Sequence, residues 1–224
     1  MPSLSDLDLR PSLLLAMWAA GMAIGIAVVA RWRIVGAAYL WVAGGSALLV
    51  GAFAAFGGVW AAIGAGLLVV GLALARRPEW AAIAFGLGGL AYLVHASALA
   101  GPLTAITGAL ALGGVTCEML LGHWYLVDPT MPRWALRRLD GAGIAGLAAD
   151  LALVAAGGAL AAGSTVLIVT WLVLGGFSIL LMVGVWFSLK EEGYEGVMAA
   201  TGLSYLAVLT SLGSVALGRI LLQL

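Results

Sequence analysis

The chain has very little charge for its length. Only 9% of its 224 residues are charged, and ten basic residues balance ten acidic ones, so the formal net charge is zero. A soluble globular domain carries about 25% charged residues. This shortage excludes a separate water-soluble domain, and the absence of a basic surplus gives no reason to expect a nucleic-acid partner.

Cysteine and histidine are also scarce. One cysteine, Cys117, excludes an intramolecular disulfide and a cysteine-based zinc site, and two histidines are too few to complete a histidine metal site. The sequence has no HExxH, P-loop or GxSxG motif. We therefore predict no metal site and find no catalytic motif. The sequence does not decide whether the chain is an enzyme, but it favours a chain that is not an enzyme by itself.

Apolar residues and glycine are abundant instead. The chain is 64% hydrophobic and contains 33 glycines. A membrane-spanning helix needs about 20 apolar residues. The sequence therefore predicts an all-α, polytopic transmembrane bundle of about eight spans, with residues 1–224 forming a single integral membrane domain in the lipid bilayer. The predicted spans are 12–30, 34–56, 58–75, 80–100, 103–127, 144–162, 165–189 and 196–222.

Two features of the sequence bear on how these helices are arranged. Gly21 and Gly25 have the GxxxG spacing, which favours close packing of transmembrane helices. Residues 67–93 and 180–206 align without a gap, with nine identities in 27 positions. This match indicates two parallel four-helix repeats, 1–113 and 114–224, related by an axis along the membrane normal.

The basic residues are distributed unevenly along the predicted topology. Eight of the ten lie in the connections between spans 1–2, 3–4, 5–6 and 7–8, and the other two are Arg10 and Arg219. The positive-inside rule then predicts a multi-pass protein of the cell membrane with these basic loops in the cytoplasm and both termini outside. The eight are Arg31, Arg33, Arg76, Arg77, Arg133, Arg137, Arg138 and Lys190.

Ionisable side chains within a span are costly and mark candidate functional sites. Glu118 is the clearest case, because it shares one helix face with Thr104, Thr107 and Tyr125 in an otherwise apolar span. Two interpretations have equal weight. Glu118 binds a proton or a small ligand inside the bundle, or it is a buried carboxyl that holds two helices together.

Further candidates fall in the second half of the chain. Counted from the predicted start of span 6 at residue 144, Asp150 reaches the same depth as Glu118, so we expect the two carboxyls to share a proton. His123 is expected to pair with Asp150, and Ser204 and Tyr205 are expected to line the same pocket.

His95 and His123 are predicted to lie at opposite sides of the membrane. This placement disfavours a b-haem held between them. A quinone needs only a hydrogen-bonding His, Tyr or Glu beside an apolar slot, so the sequence is compatible with quinone binding without requiring it. No cofactor is predicted.

A basic segment follows the fifth predicted span. Arg133, Arg137 and Arg138 fit one side of a short helix at the membrane interface. They are candidates for binding anionic lipid headgroups or a cytoplasmic partner. Ordinary positive-inside anchoring is the simpler interpretation.

Two functions fit these observations. The first is an integral membrane subunit of a larger energy-transducing, respiratory-type complex, in contact with other membrane subunits, with a buried carboxylate for proton or quinone handling. The alternative is a proton-coupled small-solute transporter or channel. A membrane enzyme acting on lipid has only His123 and Asp150 in its favour. All six prolines lie at the predicted helix ends, which weakens the case for a transporter with unwound helices.

Overall fold

The computed structural model describes residues 11–224, which form a bundle of eight helices joined by short connections. The first half consists of α1 (Pro11–Trp32), α2 (Ala37–Ala55), α3 (Val59–Ala73) and α4 (Pro78–Ala100). The second half consists of α5 (Pro102–Val127), α6 (Arg133–Val154), α7 (Thr165–Ser188) and α8 (Tyr194–Leu221). The predicted all-α fold with about eight helices is confirmed.

Seven of these helices are long and apolar enough to cross a membrane, so the chain is a multi-pass membrane protein. The exception is α3, which has 15 residues. At a rise of roughly 1.5 Å per residue it is about 22 Å long, shorter than the ~30 Å hydrocarbon core. The glycine pair Gly57–Gly58 joins it tightly to α2.

Proline and glycine set several of the helix boundaries. Pro78 and Pro102 each occupy the first residue of a helix, where the missing N–H costs no hydrogen bond. Gly101 has a φ of +84°, a conformation that turns α4 into α5 and that side chains with a Cβ rarely adopt. Pro132 is the N-cap of α6.

Helix α6 differs from the predicted sixth span at both ends. It begins at Arg133 rather than at residue 144, so the basic segment is its first part and not a separate interfacial helix. Its last part changes into a π-helical turn at Ala155–Ala159, followed by the short helix Leu160–Ala162. Gly158, with a φ of +90°, allows this change of direction.

The two halves have the same pattern of helix contacts. In each half consecutive helices pack together and the fourth helix closes against the first, while α1 and α5 join the halves along their length. This pattern is the one that a parallel repeat requires. The repeat of halves 1–113 and 114–224 itself stays a prediction; its boundary falls within α5, and the halves named from here on are α1–α4 and α5–α8.

Glycines permit the close approach of α1 and α5. A Cβ at Gly21 would lie 1.9 Å from the carbonyl oxygen of Ala109, and one at Gly113 would lie 2.2 Å from the carbonyl carbon of Gly21. A Cβ at Gly25 would meet the sulfur of Cys117 at 2.4 Å. The GxxxG spacing of α1 therefore packs two helices together, as the sequence predicts.

The two ends of the bundle differ in charge. The end formed by the connections α1–α2, α3–α4, α5–α6 and α7–α8 contains the eight basic residues named above, and we call it the basic end. At the opposite end, Leu13, Leu222 and Gln223 line one cleft, so the first and last described residues lie on the same side. Arg10 lies outside the described residues.

Candidate functional site

Glu118 is fully buried in the second half, on the face of α5 that the sequence predicts to be polar. The hydroxyl of Ser204 on α8 lies within hydrogen-bond distance of Oε2 of Glu118 and of the carbonyl oxygen of Ala200, and it donates its single proton to one of them at a time. The other carboxyl oxygen, Oε1, has no hydrogen-bond partner among the described residues. Glu118 and Ser204, both predicted as site residues, are therefore brought together.

The second carboxyl of this site is Asp140, which the sequence analysis did not single out. It lies on α6, is fully buried, and is one turn before Gly143, which packs against Gly114 of α5. Neither of its carboxyl oxygens has a hydrogen-bond partner within residues 11–224. A sequence signal for Asp140 does exist. The residue lies on one helix face, at spacings of three and four residues, with Arg133, Arg137, Ile144 and Leu147. This face becomes visible only when the segment from Arg133 is treated as the start of a helix.

Small residues bring α5 and α6 into close contact near the two carboxyls. A Cβ at Gly114 would lie 2.7 Å from the Cα of Gly143, and one at Gly146 would lie 2.6 Å from the backbone nitrogen of Ala111. The two helices are antiparallel. Glu118 is one turn after Gly114 and Asp140 is one turn before Gly143, so both carboxyls lie one turn closer to the basic end than this contact. We call Glu118 and Asp140 the carboxyl pair.

No cation neutralises the carboxyl pair within the described residues. Arg137 lies one turn before Asp140, but its guanidinium donates to the carbonyl oxygen of Leu189 at 2.9 Å, and the ion pairs of residues 11–224 include neither Glu118 nor Asp140. Two ionised carboxylates buried together without a cation would be strongly unfavourable. The arrangement therefore favours a pair that holds at least one proton.

Polar groups continue from the carboxyl pair towards the basic end along the same face of α5. A Cβ at Gly122 would meet the hydroxyl of Thr201 at 2.8 Å, so this hydroxyl lies one turn below Glu118. One turn further, the Nε of Arg133 donates to the hydroxyl of Tyr125 at 3.3 Å. Polar side chains thus lie between the pair and the basic end, where the hydroxyl of Thr201 donates to the carbonyl oxygen of Val197 at 2.8 Å.

Asp150 does not meet Glu118, so the expected contact between them is wrong. Thr107 donates to Oδ1 of Asp150 at 2.7 Å, and the guanidinium of Arg219 forms a buried ion pair with the same oxygen. Arg219 also donates to the carbonyl oxygen of Thr104 at 3.1 Å. Because α6 begins at Arg133, Asp150 lies about three turns deeper than a start at residue 144 implies.

The two histidines are also apart from the carboxyl pair. His123 does not pair with Asp150 as expected: its Nδ1 lies 3.2 Å from the hydroxyl of Tyr205, and both side chains are exposed on the outside of the bundle. His95 is buried at the opposite end, where its ring packs beneath the turn Gly57–Gly58.

The three arginines of the basic segment have different surroundings. Arg133 donates to the carbonyl oxygens of Glu191 and Gly193, and Arg137 donates to that of Leu189, so both hold the α7–α8 connection against α6. Arg138 is exposed, and its guanidinium lies 4.8 Å from the ring centroid of Trp134.

Within residues 11–224 no group of three or more His, Cys, Asp or Glu side chains is arranged to hold a metal ion. Comparison with protein-family models, with curated protein sequences and with solved structures found no match to the chain. Any functional conclusion therefore depends on the geometry described above.

Proposed function

We propose that the chain is a subunit of a larger energy-transducing, respiratory-type membrane assembly and that it contributes a proton-binding site made of Glu118 and Asp140. The observation that carries this proposal is the burial of two neighbouring carboxyls without a cation. A carboxyl pair in apolar surroundings binds a proton between its members, and the exchange of that proton needs only small movements of hydrogen-bonding groups.

The polar groups near the pair indicate the side of the membrane from which its proton comes. Ser204 donates to Glu118, and the hydroxyls of Thr201 and Tyr125 follow towards the basic end. Glu118 lies nine residues before the end of α5, which corresponds to about 14 Å at the helical rise. The proton is therefore exchanged with the side of the membrane at the basic end.

Helix continuity supports a subunit over a stand-alone transporter. Discontinuous helices at matching positions of both halves are the feature that marks the binding site of many transporters. In the described residues the break inside a membrane-length helix is the π-helical turn of α6, near the end opposite the carboxyl pair. Its position does not place unwound backbone beside Glu118.

Infrared spectroscopy of the purified protein tests the proton site without knowledge of a substrate. We expect a carbonyl stretching band from a protonated carboxyl at neutral pH that shifts within minutes of transfer to D2O. Glu118→Gln should change this band, and Asp140→Asn should change it too. Glu192→Gln, the same chemical change at an exposed position, is the matched control and should leave it unchanged.

Two results would contradict the proton site. One is a wild-type spectrum without a protonated carboxyl band. The other is a band that persists unaltered in both Glu118→Gln and Asp140→Asn. A band that never exchanges in D2O would identify the pair as structural.

Gentle detergent extraction from the source membrane tests the subunit assignment. We expect the chain to elute in a particle well above its own mass of 22.7 kDa, together with other membrane proteins in a fixed ratio. A homogeneous monomer or homo-oligomer would refute the subunit assignment. Proton flux into proteoliposomes, compared between wild type and Glu118→Gln, would then test the transporter alternative.

A further inference from the structure

An apolar cleft opens between the two halves, beside the crossing of α1 and α5. Its volume is about 270 Å³, and its walls come from α1, α4, α5 and α6. Glycines at the helix crossing form its floor, and the partly exposed side chains of Val28, Ile106 and Leu110 form its rim towards the lipid. We call this space the inter-half cleft. Its volume is near the lower limit of ligand pockets, about 300 Å³, which suits a single hydrocarbon chain.

The inter-half cleft is apolar along its length but has a cation at the basic end. Arg138 and Trp32 both line it there. The guanidinium of Arg138 lies over the ring of Trp134, and Trp134 in turn packs edge-to-face on Trp32 with their ring centroids 4.9 Å apart. These aromatic contacts hold the guanidinium in place, and among the described residues it forms no ion pair.

A second cation lies beside the same mouth. A neighbouring cleft of about 450 Å³ shares Ile24, Val28 and Trp32 with the inter-half cleft and is also lined by Arg31. The acidic residue on this cleft, Glu79, is paired with Arg33. The shared mouth therefore presents two arginines whose charge the nearby carboxylate does not neutralise.

We propose that the inter-half cleft binds an anionic phospholipid, with one acyl chain in the cleft and the phosphate between Arg31 and Arg138. An acyl chain matches the apolar walls that open to the bilayer. A phosphate matches two guanidinium groups at the level where lipid headgroups lie. Because the walls belong to both halves, the bound lipid contacts α1 and α4 on one side and α5 and α6 on the other.

Lipid retention measured by native mass spectrometry tests this proposal. Purified protein is exposed to equal amounts of phosphatidylglycerol and phosphatidylcholine with identical acyl chains, and the adducts are counted after mild activation. We expect the wild type to retain phosphatidylglycerol preferentially. Arg138→Gln should reduce that preference about fivefold, the contribution typical of one arginine near an anionic headgroup.

Matched variants separate this site from general surface attraction. Arg76→Gln removes an exposed arginine of the same end, one that lies over Trp41 and does not line the inter-half cleft, and should keep the wild-type preference. Ala142→Phe places a ring from an exposed position of α6 into the cleft and should abolish retention of both lipids. Val28→Phe fills the cleft from α1 and replaces Ala142→Phe if that variant does not fold.

Several outcomes would overturn the proposal. Equal retention of the two lipids by the wild type is one, and an Arg138→Gln preference equal to that of the wild type is another. Lipid retention that survives filling of the cleft would place the lipid elsewhere. The cleft would have a different occupant if the protein retained an uncharged lipid or a quinone tightly and Arg138→Gln did not change that retention.

Discussion

At the scale of single residues, the two buried aspartates of α6 have opposite electrostatic surroundings. Asp150 has a cation, Arg219, and accepts a hydrogen bond from Thr107. Asp140 lies near another carboxyl, that of Glu118, and has no hydrogen-bond partner among the described residues. The first arrangement stabilises an ionised carboxylate and fixes three helices together. The second leaves a carboxyl that gains by holding a proton, which is why we assign function to Asp140 and structure to Asp150.

The structural role of Asp150 predicts a large loss of stability in Asp150→Leu. That substitution leaves the buried guanidinium of Arg219 without its counter-ion. Removing one partner of a buried ion pair lowers the free energy of unfolding by about 3–5 kcal/mol. The double variant Asp150→Leu/Arg219→Met removes both charges and should recover most of the loss. The free energy of unfolding in mixed detergent micelles measures both effects.

Equal stability of Asp150→Leu and the wild type would show that the ion pair does not hold α5, α6 and α8 together. A double variant that is less stable than Asp150→Leu would show that Arg219 is stabilised by groups other than Asp150.

The sequence reveals Glu118 but not its partner, and the reason is one of helix register. The depth of a residue in a membrane is obtained by counting from the start of its helix. Three arginines between residues 133 and 138 resemble a connection, so the count for span 6 begins too late. As a result, Asp150 is predicted at the same membrane depth as Glu118, and Asp140 is predicted to lie outside the membrane.

At the scale of helices, α6 continues through its arginines because their side chains have partners outside the helix. Arg133 and Arg137 reach carbonyl oxygens of the α7–α8 connection, which is distant in sequence. Local sequence contains no signal for such contacts, whereas Pro132 does mark the true start. Most of the helices are predictable, because seven of them are apolar over a length that crosses a membrane.

The close contact of α1 and α5 predicts that Gly21→Ala destabilises the protein. The added methyl would overlap the carbonyl oxygen of Ala109, so the helices must separate, at a cost of about 1–3 kcal/mol for an overpacked core. Gly45→Ala is the matched control, because a Cβ at Gly45 meets no atom within 4 Å. It should be neutral or stabilise by up to about 1 kcal/mol, since alanine favours the helix.

Thermal denaturation of the two variants in detergent measures the difference. Similar melting temperatures for Gly21→Ala and Gly45→Ala would contradict the close contact of α1 and α5.

At the scale of the whole molecule, the two halves have similar helix contacts but different polar side chains inside them. Tyr92 and Tyr205 are aligned in the sequence comparison of the halves, yet Tyr92 is fully buried against Gly51 and Gly64, whereas Tyr205 is 46% exposed. The carboxyl pair likewise lies entirely in the second half. Substitutions that affect the proposed proton binding are therefore expected to cluster in the second half.

The distribution of charge between the two ends predicts the orientation of the whole chain. The basic end has eight arginine and lysine residues, and positively charged loops stay in the cytoplasm. A reporter active only in the cytoplasm should therefore give a signal when inserted after Glu192, in the α7–α8 connection. The same reporter fused after Leu224 should be silent, and an export-dependent reporter there should be active.

These paired fusions also bear on the proposed site, because they determine which compartment the basic end faces. Signals from both fusions on the same side would contradict the passage of α8 through the membrane. Reversed signals would keep the fold but place the basic end outside. The carboxyl pair, which is nearer the basic end, would then exchange its proton with the outer side instead of the cytoplasm.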